Sequence, residues 1–295
     1  MSHSGGKNAG PEAPTPAGGG GGDVRPASAV ADLFGVCRLL GRDLLAACAR
    51  ATDPPERQAI PVNTASGGFD LTTAATLRLQ PRPGFDQSLY GDPVIVWGTN
   101  RHRVQIVRGE PVQVTRIGHL YTLSWSRGPL ELQIPSQLAG LGLRAAGSDV
   151  RLHRFDGPIQ ADLFRGRLEI RGLQAPFRLR GLGTPILLRE CAVGAGESIV
   201  ATTGGDILVE FAAAASLRIE ALTLGGLIES RLERTPAWRA ESARERLTEL
   251  AREGGDARQS SLLEQRTLRV GSGLGALRLD TAGGWIHLRV ELGPG

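Results

Sequence analysis

Lysine is all but missing from this chain: of 34 basic residues only Lys7 is not arginine. There is one Met, with two Tyr and seven Phe, so any core must be built from Leu, Val, Ile and Ala. The three cysteines, Cys37, Cys48 and Cys191, are odd in number and lack CxxC or metal spacing, so they offer no disulfide framework. No run approaches the ~18 apolar residues that a membrane-spanning helix needs. The opening MSHSGGKNAGPEAPTPAGGGGG has no apolar stretch of the secretory kind, and a cytoplasmic location is the expectation. The net charge is only +4, with arginines spread along the chain beside Asp and Glu. Nucleic-acid binding needs a clustered basic face and is disfavoured. None of the five histidines (His3, His102, His119, His153, His287) stands in HxH or HExxH, and there is no G-x-S-x-G elbow. The expectation is therefore no catalytic residue, no metal and no cofactor.

What the chain does have is a grid. From Leu123 to Leu188 an apolar–x–apolar pair returns every nine residues: Leu123/Trp125, Leu132/Ile134, Leu141/Leu143, Val150/Leu152, Ile159/Ala161, Leu168/Ile170, Phe177/Leu179 and Ile186/Leu188. With 41% of residues hydrophobic, filling these positions by chance is roughly a 10⁻⁶ event before freedom of register is allowed for. On a helix, residues i and i+2 lie on opposite sides; on a strand they share a face. Residues between the pairs are often charged, such as Glu131, Arg151, Glu169 and Arg178, and glycines punctuate the gaps. The reading is apolar inward, polar outward, then a corner. A constant step favours a solenoid of stacked strands over a meander, whose loops vary in length. A two-strand coil of ~18 residues and a three-strand coil of ~27 both fit the step.

Residues 1–27 are a Gly/Pro-rich tail expected to be disordered. Over 28–53, Val30, Leu33, Phe34, Cys37, Leu40, Leu44, Leu45 and Cys48 follow helical spacing, with Ser28 as N-cap and Pro54 as stop. This amphipathic helix would cap the stack, or offer a face to a membrane surface or partner. Residues 60–295 form the solenoid domain, opening with a β-rich part that includes Phe69–Leu71, Leu77–Leu79 and Val94–Trp97. A charged stretch at 236–256 reads as a helical or flexible insertion. The nine-residue step then resumes with Leu268/Val270, Leu277/Leu279 and Ile286/Leu288.

A second repeat, T-x-G-G-x-I, occurs at 202–207, 223–228 and 281–286. Its glycine pairs, Gly204-Gly205, Gly225-Gly226 and Gly283-Gly284, read as corner residues that supply positive φ, and each Ile opens an inward strand. A strand follows each pair, so they do not read as a phosphate cradle. The same holds for GSGLGALRL at 271–279. Together with LELQIPSQLAGLGLRAAGSDVRL (130–152), ATTGGDILV (201–209), ALTLGGLIES (221–230) and LRLDTAGGWIHLRV (277–290), these repeats resemble the bacterial putative-adhesin family of uncharacterised β-solenoid domains, bactofilin-like in appearance. The resemblance implies an all-β fold, a right-handed parallel β-helix, with a non-enzymatic binding or scaffolding role and no catalytic residues.

Two carboxylate pairs, Asp156 with Asp162 and Asp206 with Glu210, are the candidates for acid–base work of the kind seen on carbohydrate-active β-helices. Connections of two to six residues are too short to wall a cleft around them. The expected function is a structural or interaction module that binds a protein partner or self-associates. A membrane- or envelope-associated sensor acting through 28–53 and a carbohydrate-active enzyme are the alternatives.

Overall fold

The computed structural model describes residues 58–60, 62, 67–82, 92–109, 112–126, 128–232, 238–241 and 263–290. The tail (1–27), the amphipathic segment (28–53) and most of the 236–256 segment lie outside the described residues.

The described residues are all-β, in 22 strands. The first six are β1 (Gln58–Ile60), β2 (Gly68–Asp70), β3 (Thr76–Pro81), β4 (Val94–Thr99), β5 (Arg103–Arg108) and β6 (Gln113–Ile117). The grid supplies β7 (Leu120–Trp125), β8 (Leu130–Pro135), β9 (Gly140–Ala146), β10 (Asp149–His153), β11 (Ile159–Phe164), β12 (Arg167–Arg171), β13 (Phe177–Leu182) and β14 (Ile186–Cys191). Then come β15 (Gly196–Thr203), β16 (Ile207–Phe211), β17 (Leu217–Leu224), β18 (Ile228–Ser230), β19 (Trp238–Glu241), β20 (Leu263–Val270), β21 (Gly275–Ala282) and β22 (Ile286–Val290).

These strands make two large, mostly parallel sheets. The first runs β1-β6-β7-β3-β9-β11-β13-β15-β21-β17-β20-β19; the second runs β18-β22-β16-β14-β12-β10-β4-β8-β5-β2. Along the grid the chain alternates between sheets, and from β9 to β14 each strand pairs in parallel with the next but one. Leu141, Ile159 and Phe177 are register partners, as are Val150, Leu168 and Ile186, so partners differ by 18 in number. Each coil is thus two strands, which settles the coil length that the step left open. A larger coil of 21 follows, where Leu179 pairs with Val200 and Ile186 with Ile207.

All eight grid pairs point inward at 5% exposure or less. Burying each large aliphatic side chain is worth about 1.5–3 kcal/mol, and the two inner faces share one apolar core. Corners are made by left-handed residues in columns. Passing from the first sheet to the second, Gly147, Arg165, Gly183, Gly204, Gly283 and Gly225 have φ of 67, 59, 61, 68, 75 and 76°. On the return side Arg154, Gly172 and Glu190 have φ of 55, 80 and 52°.

Chain order and spatial order part at both ends. Strands β3 and β4 do not lead into the stack; they sit inside it, β3 between β7 and β9 and β4 between β8 and β10. At the other end β21 lies between β15 and β17, and β22 between β16 and β18. The pair Leu268/Val270 is on the nine-residue step yet belongs to β20, which runs antiparallel to β17 and forms no coil. Four residues of the 236–256 segment form β19, antiparallel to β20.

Candidate functional site

The three T-x-G-G-x-I corners stack directly on one another, in the spatial order 202–207, 281–286, 223–228. Thr202 pairs with Thr281 and Thr281 with Thr223; Ile207 pairs with Ile286 and Ile286 with Ile228. Each threonine is buried and donates its hydroxyl to a carbonyl of the neighbouring coil: Thr202 to Thr184 at 3.1 Å, Thr281 to Gly205 at 3.0 Å and Thr223 to Gly284 at 2.9 Å. The two glycines of each pair serve different ends. Only the first, Gly204, Gly283 or Gly225, has positive φ. The second is bare because the next coil's backbone is pressed against it: a Cβ would lie 2.2 Å from the Thr184 carbonyl oxygen at Gly205, 2.1 Å from that of Gly205 at Gly284, and 1.9 Å from that of Gly284 at Gly226. Gly284→Ala should therefore cost about 3 kcal/mol or more, since backbone on both coils must shift. Gly283→Ala should cost about 1 kcal/mol, the price of an L-residue at that φ. Paired thermal melts check the ranking. These residues hold the coils together.

The outer faces are where chemistry can meet a partner. On the first sheet, one row reads Arg78, Gly142, Gln160, Arg178 across β3, β9, β11 and β13, and the row beside it reads Arg144, Asp162, Arg180. Gly140 and Gly142 both face outward, so β9 carries no side chain at two successive outward positions. The result is an open trough of about 480 Å³ with Arg78, Arg144, Arg178, Gln160, Asp162 and Glu197 around it. The fold does not demand these glycines. Neither has positive φ, and an added Cβ would make only ordinary contacts, 3.6 Å to Thr76 at Gly140 and 3.7 Å to Arg78 at Gly142. Glycine inside a strand costs about 0.5–1 kcal/mol relative to alanine, so both are unfavourable choices for the sheet alone.

The trough is electrostatically unbalanced. Arg144 Nε lies 3.8 Å from Asp162 Oδ2. Among the described residues Arg78 and Arg178 have no carboxylate within ion-pair distance. Burial pushes the Arg78 pKa down and the neighbouring Arg144 adds to it, with Asp162 opposing. Its charge is held at a cost that an incoming anion would relieve.

The second sheet's outer face is paired internally. Glu169 meets Arg189 at 3.4 Å, Arg189 meets Glu210 at 3.7 Å, and Glu210 also meets Arg289. Trp97 stacks on His153 at 4.2 Å, and His287 Nδ1 lies 3.2 Å from Glu229. Of the four candidate carboxylates, Glu210 sits in that ladder, Asp162 is beside Arg144, and Asp206 accepts the Trp285 amide at 2.8 Å. Asp156 lies apart from Asp162, in a shallow polar hollow near Thr99, Gln174 and Glu190. Cys191 is fully buried and its thiol is pushed up to about 12, which makes it a poor nucleophile. The other two cysteines lie outside the described residues. Among the described residues no three His, Cys, Asp or Glu side chains gather as a metal set. No helix among them is long and apolar enough to cross a membrane.

Of the residues around the trough, the sequence marks only Asp162 as a candidate, and for acid–base work with Asp156. The signal for the trough is a pair of glycines at i and i+2 on the outward face of a strand, but the Arg78 that borders it is 64 positions earlier and is brought alongside only by register.

No protein-family model matches this chain, and no curated protein does. A crystal structure of a "putative cell adhesion protein" from Clostridium sporogenes is similar to it at a TM-score of 0.37 and 8% identity, over 81% of this chain and 100% of that one. A likeness of that order carries no inference about what this chain binds.

Proposed function

We propose that this chain is a non-enzymatic interaction module: a stack of right-handed β-coils that binds a partner on the outer face of its first sheet. The hand is the one that parallel β-crossovers adopt almost without exception. The observation that carries the reading is the trough, a hollow over Gly140 and Gly142 in which Arg78 and Arg178, among the described residues, have no carboxylate within ion-pair distance.

The sheet ends argue for a face and against end-to-end assembly. Among the described residues the terminal strands are β1, β2 and β18, of three residues each, and β19, of four. Short edges offer little template for pairing with another copy. Size-exclusion chromatography with light scattering should give a single species of 31.2 kDa at rising concentrations; larger species that grow with concentration would overturn the closed-end reading. For the face, the full chain and its Gly142→Leu variant should be compared on arrays of glycans, peptides and lipids. Binding that the variant loses while keeping its melting temperature supports the module. A blank array, or binding indifferent to the substitution, refutes it.

A further inference from the structure

We propose that the trough binds a linear acidic saccharide, with carboxylates paired to Arg78 and Arg178 and hydroxyls to Gln160 and Asp162. The inference rests on the reading of the first sheet's outer face as the binding surface, and it names the ligand class.

Arg78 and Arg178 share one row, with Gly142 and Gln160 between them. Strands lie ~4.8 Å apart, so the two arginine positions are separated by about 14 Å along the stack. A compact anion such as phosphate could meet both only if the two side chains leaned fully toward each other across Gly142 and Gln160. A polymer that repeats its charge at intervals can satisfy both, and the stack offers it a straight path. Arginine is the side chain suited to the task, because its planar fork pairs with a carboxylate through two parallel hydrogen bonds.

Backbone chemistry excludes an added strand. Both edges of β9 are occupied, by β3 on one side and β11 on the other. Its amides and carbonyls lie in the sheet plane and are spent on those ladders, so a peptide laid over the trough would find no main-chain partners. The ligand must be recognised through side chains and shape. Gln160 supplies both a donor and an acceptor, Asp162 and Glu197 accept, and Thr76 at the rim does either. That set suits a ligand carrying many hydroxyls beside its carboxylates. The floor left by Gly140 and Gly142 is flat and has no side chain, which lets a sugar ring lie close to the sheet. The rim has Pro158 and Pro176 for apolar contact with ring C–H groups. The volume, about 480 Å³, falls in the range of sites for small ligands, ~300–1,000 Å³, and its open ends leave room for the chain to continue.

The test is calorimetric titration of the full chain with galacturonate oligomers, their methyl esters and inorganic phosphate. The acidic oligomers should bind, and added salt should weaken the binding. The methyl esters, which keep the hydroxyls and lose the charge, should bind at least about tenfold more weakly, and phosphate should not compete. Gly142→Leu should abolish binding by filling the floor. Arg78→Gln with Arg178→Gln should weaken it to the level of the esters, and this pair carries the same readout should the leucine variant fail to fold. No binding of acidic oligomers, equal binding of the esters, or competition by phosphate at equal concentration would each overturn the proposal. If these failures accompany array binding of another class that Gly142→Leu abolishes, the saccharide is wrong and the binding face stands. If no ligand depends on the face, both fall.

Discussion

A chain that stops at Leu274 should lose far more than one coil. Strand β21 forms eight register pairs with β15 on one side and eight with β17 on the other, and β22 bridges β16 and β18. Their inward residues Leu277, Leu279, Ile286 and Leu288 are at 1% exposure or less. Removing even one such side chain by truncation to alanine costs about 2–5 kcal/mol; removing four with their strands approaches the ~5–15 kcal/mol that holds a whole domain together. The cut also strands 217–232, which keeps β20 as a partner and, among the described residues, loses its sheet pairing to the remaining coils. Hydrogen exchange on the truncated chain should show protection lost over 196–232 and kept over 141–191, with a lowered melting temperature. Protection retained at 217–230 would mean that β17 and β18 had moved into the vacated place, and that the stacked T-x-G-G-x-I corners are interchangeable.

Leu168→Asp should unfold the array. Leu168 is fully buried in β12, between Val150 and Ile186. The substitution forfeits the burial of a large aliphatic side chain and places a carboxylate in the apolar core. The first loss is about 2–5 kcal/mol, and the desolvation of an unpaired charge adds several more. The sum matches or exceeds the stability of a typical domain, ~5–15 kcal/mol. No single coil can offset its backbone ordering of about 1–2 kcal/mol per residue, so failure at the centre must spread to the neighbours. Denaturant melts should show loss of the cooperative transition. If exchange showed the flanking segments 150–152 and 186–188 still protected, the two inner faces would not be one cooperative core. Leu168→Ala, which leaves the site apolar, should stay folded at reduced stability.

The grid pairs were readable because a strand forces its inward residues onto a period of two, and a constant coil length forces the pairs onto a period of nine. Leu123 through Leu188 obey both rules and all of these pairs are buried. What periodicity does not encode is which coil lies beside which. The inward pair of β3, Leu77 and Leu79, is compatible with any neighbour, and nothing in its pattern says that it separates β7 from β9. For the same reason Leu268 and Val270 kept the step while running the other way. The repeat reads as positive φ for each glycine pair, and only the first glycine of each has it. The need for a bare residue at Gly205, Gly284 and Gly226 was not legible, because it comes from a carbonyl on the neighbouring coil. The trough hid similarly: Gly140 and Gly142 look like further punctuation until register sets Arg78 against them.

The displaced end coils bear on how the chain comes to be folded at all. A stack whose coils follow chain order can grow by simple addition as each segment leaves the ribosome. This one cannot finish that way. Residues 217–230 are synthesised before 275–290, yet the later segment must stand between them and β15. Until Val290 has emerged, β15 and β17 each present an unpaired, eight-residue edge, the kind of surface that invites pairing with another nascent chain. The coil formed by 275–290 thus closes two edges at once, and until it arrives those edges are open to pairing with other copies of the chain.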